Sequence, residues 1–223
     1  MMKNKVIFKF DKEKDLFNIW ETCNKENSFG KDLTKNVDSK IIYLCKGKNF
    51  EDCKNELEKV YSNIYKSKLI SIFLKAVNDS WKEINDEFFK RLEKIMKKPI
   101  YRESFTDYLT LAGRCPYILK ENAFYFNFFS SIINVLQTAG HEIMHLQFHN
   151  TYWNQIEKQI GKEKTHDLKE ALTVLLNLEF KDLWFVEDKG YEMHKELRNF
   201  IANEWKKEKD FEVLLKKCVE YLK

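Results

Sequence analysis

Apolar residues recur every third or fourth position over most of this chain, and only short stretches switch to the tighter alternation of a strand. Residues 5–10 and 40–45 are short, β-branched and aromatic, which predicts two strands. Between them, residues 11–25 predict a helix built on Leu16, Phe17, Ile19 and Trp20. From 49 to 98 the helical period dominates: Leu57, Val60, Tyr61 and Ile64 share one face, and Trp81, Ile84, Phe88, Leu92 and Ile95 share another. Asn78 or Asp79 is placed to cap the second of these helices, and Pro99 to stop it. The character then changes. Residues 105–112 and 123–128 predict two more strands, separated by turn residues at 113–116 and 120–122. Alternation in the second strand brings its phenylalanines to one face of a half-buried sheet. Ser130 or Ser131 caps a helix that runs through Ile132, Val135, Leu136 and Ala139 into His141. Further helices are predicted from Thr165 or Asp167 to about 180, from Gly190 to about 206, and over 211–222.

The fold class that follows is α+β, predominantly helical. A mostly helical part with short strands (1–99) precedes a second part (100–223), with no flexible linker between them, so both also fit one continuous domain. The 223 residues are 43% apolar and 15% aromatic, enough to bury a sizeable core, and two prolines and six glycines suit long helices. The 39 basic and 35 acidic residues are mixed along the length rather than gathered in a stripe, which argues against a nucleic-acid partner. The start, Met1 to Asp15, lacks the apolar stretch of a signal peptide, and no run is long enough to span a membrane. Five scattered cysteines with no C-x-x-C pair speak against a disulfide framework and a cysteine-based zinc site, and point to the cytoplasm.

Candidate chemistry concentrates between Ala139 and His149. Residues four apart on a helix share a face, so His141 and His145 can present their imidazoles to one ion. Glu142 stands beside such an ion rather than on it, where its carboxylate can take a proton from a metal-activated water; this is the H-E-x-x-H arrangement. Ile143 and Met144 turn to the core. His149 falls a further turn along the axis, too far for the same ion. Paired imidazoles suit zinc, one per chain, and would accept other divalent ions as well.

At this motif the chain resembles the zincin metallopeptidases, whose active-site helix carries His141-Glu142-x-x-His145 after a small sheet. The resemblance implies a zinc ion, a water nucleophile, a peptide or protein substrate, and an edge strand that pairs with an extended peptide. Phe148 stands where metzincins have a glycine, and His149 does not supply their third histidine. Gluzincins take a glutamate from a later helix instead, and Glu170 fits that description; Glu163 and Glu179 have more solvated surroundings. Glu170 lies in a stretch apolar over most of its circumference, where a carboxylate needs a partner. A salt bridge from Glu170 to a lysine is the plainer alternative. Glu170, Thr173 and Asn177 form a polar stripe at spacings of three and four, and Thr173 and Asn177 would support the site from behind. A second stripe, Tyr191, His194 and Arg198, is expected on one face of the next helix. By resemblance Tyr191 or His194 stabilises the oxyanion. Arg198 would hold a substrate carboxylate, and Asp188 would orient one of the histidines.

The resulting expectation is zinc-dependent hydrolysis of a peptide or amide bond, with Glu142 as base. A regulatory zinc protease of the ImmA/IrrE kind, acting on one protein partner, is an alternative. So is a non-enzymatic helical interaction protein.

Overall fold

In the computed structural model, residues 4–25, 32–35 and 37–223 are described. Residues 1–3 of the stretch Met1 to Asp15 lie outside them. In chain order the elements are β1 (Lys5–Phe10), α1 (Lys12–Asn24), α2 (Ser39–Cys45), α3 (Phe50–Lys66), α4 (Leu69–Met96), β2 (Ser104–Thr110), β3 (Tyr117–Ile118), β4 (Ala123–Asn127), α5 (Ile132–Thr151), α6 (Trp153–Leu172), α7 (Val174–Glu179), α8 (Lys181–Trp184), α9 (Lys195–Lys207) and α10 (Phe211–Leu222). Helices predominate, and the strands form one small mixed sheet, an α+β arrangement. No helix among the described residues is long and apolar enough to cross a membrane.

Two compact units interleave along the chain. One comprises Val6–Trp81 and Thr106–Val135; the other comprises Lys82–Phe105 and Leu136–Lys223, with Asn4 and Lys5. The division expected near residue 99 falls inside the segment Lys82–Phe105.

The sheet has the order β1-β2-β4-β3, with β2 and β4 parallel, Tyr108 opposite Tyr125, and β3 antiparallel at the edge beside β4. The expectation of a half-buried β4 is corrected. Ala123, Phe124, Tyr125 and Phe126 are all buried, so both faces of the strand are covered. Phe126 meets Phe8 edge-on at 5.5 Å, while Tyr125 packs on Tyr108 at 5.8 Å.

Residues 40–45 form helix α2, not a strand. The Asp38 side chain accepts from the Lys40 N–H, and Ile41 and Cys45, four apart, are the two buried positions. Cap and burial period together outweigh the β-propensity of Ile-Ile-Tyr. Helix α4 also differs from expectation. It starts at Leu69, and Asn78 lies inside it, donating from its amide to the carbonyls of Phe8 (3.2 Å) and Leu74 (2.9 Å) rather than capping. The cysteines scattered in sequence meet in space: Cys23, Cys45 and Cys53 share one apolar core with Leu16, Ile41 and Leu57, all as free thiols.

In the other unit, the single helix expected from Thr165 or Asp167 to about 180 is divided. Gly161, at φ +80° and ψ 167°, interrupts α6, so its second stretch opens earlier, and the Thr165 hydroxyl donates back to the Gly161 carbonyl at 2.7 Å. Leu172 ends α6, and Thr173 leads into α7. Tyr191 is extended (φ −102°, ψ 143°) and His194 precedes α9 in a short 3-10 turn, so the expected helical stripe holds only from His194 to Arg198.

A buried acid organises the end of β2. Asp15, wholly inaccessible, accepts from the Thr110 hydroxyl, the Leu111 N–H and the Tyr65 hydroxyl, each at 2.7 Å. Burial pushes its carboxyl above the ordinary range, against the pull of these three donors. Asp15→Asn leaves one acceptor oxygen where there were two and turns an amide donor toward the Tyr65 hydroxyl, which must then accept rather than donate. We expect a loss of about 2 kcal/mol, a fall in Tm of roughly 4–8 °C by thermal melting. An unchanged Tm would show that the network contributes nothing.

Candidate metal centre

Helix α5 enters the site at Gly140. A Cβ at that position would lie 2.7 Å from Trp184 Cη2 and 3.1 Å from Phe88 Cε2, so only glycine lets the helix approach this wall so closely. Trp184 is held in turn by Phe180, stacked at 6.0 Å with planes 5° apart. The next residues are divided by face. Ile143 and Met144 go into the core, as their sequence predicts, Leu146 joins them, and His141 and His145 face Glu170 from α6.

Glu170 Oε2 lies 3.3 Å from His145 Nε2 and 3.8 Å from His141 Nε2. All three ligand atoms fall within 4.8 Å of one another. A tetrahedral ion with bonds of about 2.0–2.1 Å sets its donors roughly 3.3 Å apart, so the spacing suits a small divalent cation. The other oxygen of the carboxylate, Oε1, takes a salt bridge from Lys169 at 2.8 Å. The lysine bridge that was the alternative for Glu170 is therefore present alongside the two histidines, each on its own oxygen.

Charge is distributed unevenly over these groups. Burial, reinforced by the Lys169 and His141 charges, lowers the His145 imidazole to about 3, keeping it in the neutral form that ligates metals. Burial would raise Glu170, but His145 and Lys169 outweigh it and hold the carboxyl far below its ordinary range. Burial would lower His141 as well, yet the Asp188 carboxylate raises it to about 9. Glu142 is pushed up by burial to about 7, against the pull of His141 and Lys169. Its Oε2 is buried with no hydrogen-bond partner among the described residues, an open acceptor beside the donor set.

Asp188 lies behind His141, its Oδ2 2.5 Å from Nδ1. That bond leaves Nε2 to face Glu170 and sets the ring orientation. Gln137, one turn before His141 on α5, donates to the same oxygen at 3.1 Å. Asn177 holds the Asp188 backbone in both directions, accepting from its N–H at 2.7 Å and donating to its carbonyl at 2.8 Å. Thr173 Oγ1 lies 3.3 Å from Asp188 Oδ1. Burial works against ionisation of Asp188, but His141 and Arg198 outweigh it and bring the carboxyl down to about 2.

The structure thus gathers His141, Glu142, His145, Glu170, Thr173, Asn177, Asp188 and Arg198 at one place. Tyr191 is near enough that the Glu170, Glu142 and Asp188 charges add to burial in raising its hydroxyl. His194 is tied elsewhere: it is buried, with Nε2 3.0 Å from Asp167 Oδ1. Arg198 is 6% exposed, its guanidinium turned to Asp188 and Thr173. His149 stacks on Trp153 at 4.1 Å, a turn beyond the ligands, and His166 meets the same indole edge-on at 4.7 Å. Sequence reasoning missed Lys169 and Gln137. The spacing of Gln137, four before His141, was a usable signal; Lys169 carried none beyond its place in an apolar stretch.

Gly140→Ala should lower stability by about 1–3 kcal/mol, because the stacked indole cannot recede without disturbing Phe180 and Phe88. Thermal melting reads this directly, and a Tm equal to that of the unsubstituted protein would show that the wall is free to shift. No family model matches this chain, and no curated protein or solved structure is significantly similar to it, so the functional reading rests on the geometry of these side chains.

Proposed function

We propose that this chain is a zinc-dependent hydrolase of peptide or amide bonds, of the gluzincin type of zincin. His141, His145 and Glu170 hold one zinc ion, and Glu142 is the general base. The observation that carries this reading is the convergence of both Nε2 atoms on Glu170 Oε2, at 3.3 and 3.8 Å, from positions 25 and 29 residues earlier in the chain. The donor set fits the ion chemically: one neutral imidazole, one ionised carboxylate, and a second imidazole, fixed by Asp188 with Nε2 turned inward, that would release its proton when the ion binds. When bound, zinc supplies a Lewis-acidic charge that makes water more acidic and polarises a carbonyl oxygen.

The chain's own residues supply the rest. The open Oε2 of Glu142 accepts the proton from the attacking water and later returns it to the leaving amine. Its carboxyl, poised near 7, suits both directions of transfer. Tyr191 is the better placed donor for the oxyanion, since His194 is committed to Asp167. Lys169 neutralises part of the buried negative charge. A peptide or protein is the substrate class, and the cytoplasm the setting, in keeping with the free cysteines.

Metal content tests the reading first. The wild type should carry about one zinc per chain, and His145→Ala and Glu170→Gln should each lose it. Firm zinc retention by Glu170→Gln would remove that residue from the ligand set. Glu142→Gln should keep the metal and lower peptide turnover about 10²–10⁴-fold. Undiminished hydrolysis by that zinc-loaded variant would sink Glu142 as base.

A further inference from the structure

Arg198 sits where the two arms of the centre meet. Its Nη1 donates to Thr173 Oγ1 at 2.8 Å. Its Nη2 donates to the Asp188 carbonyl at 2.6 Å and lies 3.1 Å from Asp188 Oδ1. Each contact leads to a ligand. Thr173 Oγ1 donates to the Glu170 carbonyl at 2.7 Å, at the end of α6, and Asp188 Oδ2 holds His141 Nδ1. One guanidinium therefore reaches Glu170 through Thr173 and His141 through Asp188.

The chain around it leaves no room for another partner. After Asp188 the backbone turns at Gly190, φ +61°, and a Cβ there would lie 2.8 Å from Cζ, Nε and Nη1 of Arg198. The glycine is needed twice, for its left-handed φ and for this contact. A substrate carboxylate has no open side of the guanidinium to approach, since the residue is 6% exposed.

We infer that Arg198 is a positioning residue that fixes His141 and Glu170 relative to one another, and that it does not bind substrate. The inference rests on the proposed reading of those residues as zinc ligands. The planar fork matters as well as the charge. It spans a hydroxyl on one helix end and a carbonyl and carboxylate on the loop, and a lysine ammonium lacks this two-pronged geometry. Partners one step behind metal ligands typically change affinity by about 10–100-fold when they are removed.

The experiment compares the wild type with Arg198→Lys, Arg198→Met and Gly190→Ala. Zinc affinity is measured by chelator competition, the ligand field by the visible spectrum of the cobalt-loaded protein, and KM for a peptide at saturating zinc. Circular dichroism checks that each variant folds. Arg198→Lys and Gly190→Ala keep a positive charge at the site, so they carry the test if Arg198→Met does not fold. The expected result is zinc binding weakened about 10–100-fold with a shifted cobalt spectrum, and KM unchanged once zinc is saturating. Wild-type zinc affinity and cobalt spectrum in the folded variants would overturn the inference. So would a raised KM with unaltered zinc binding, which is the signature of a substrate-carboxylate clamp. A wild type that takes up no zinc overturns the proposed function and this inference together; a wild type that holds it beside indistinguishable variants overturns the inference alone.

Discussion

Three carboxylates buried within one small region, Glu142, Glu170 and Asp188, set the terms for everything around them. Removing each from water costs several kcal/mol unless charge or hydrogen bonds compensate, and each also repels the others. The unit answers with cations and a hydrogen-bonded imidazole placed on particular oxygens. Lys169 takes one oxygen of Glu170, Arg198 lies against Asp188, and His141 stands between them. Glu142 alone lacks such a partner on Oε2, and burial lifts its carboxyl to about 7 while the other two are held low. Three chemically similar acids are thereby driven to different states, which is how one site obtains ligands and a proton carrier from the same functional group.

That constraint explains the local architecture. The loop after α8 carries Asp188 and has no regular structure to hold it, so Asn177 pairs with its backbone as another strand would. Thr173, where α6 gives way to α7, turns a helix end into an acceptor for Arg198. Among the described glycines, Gly140 and Gly190 are the two points where a side chain would collide, one against an indole and one against a guanidinium. Both lie within two residues of a charged site group, as expected where backbone must pass close to fixed neighbours.

Asp15, in the other unit, shows the alternative solution to a buried acid. Its donors are neutral: two hydroxyls and a backbone N–H. Nothing cationic is needed to join α1 to the end of β2 and to Tyr65 of α3, and Asn18 continues the network from Thr110 to the Arg114 carbonyl. A neutral network suits a structural junction, whereas the charge-rich one beside His141 suits a place where ions and protons are to be handled.

By itself the sequence determined what depends on neighbours along the chain. The four-residue spacing of His141 and His145 puts both on one helix face whatever surrounds them, and Ser131, one of the two serines expected to cap α5, accepts from the Asn134 N–H. The apolar surroundings of Glu170 marked it as a carboxylate in need of partners. Only the tertiary structure decided who those partners are. Periodicity could not tell that residues 40–45 bury Ile41 and Cys45 and so coil into α2, or that the turn at Gly190 would leave Tyr191 extended. Nor could it tell whether Arg198 faces substrate or Asp188, because a guanidinium is chemically fit for both. A side chain's propensity is local, but its hydrogen-bond partner is chosen by whichever distant segment the packed core brings beside it, and here that segment was Asp188, ten residues back and across a turn.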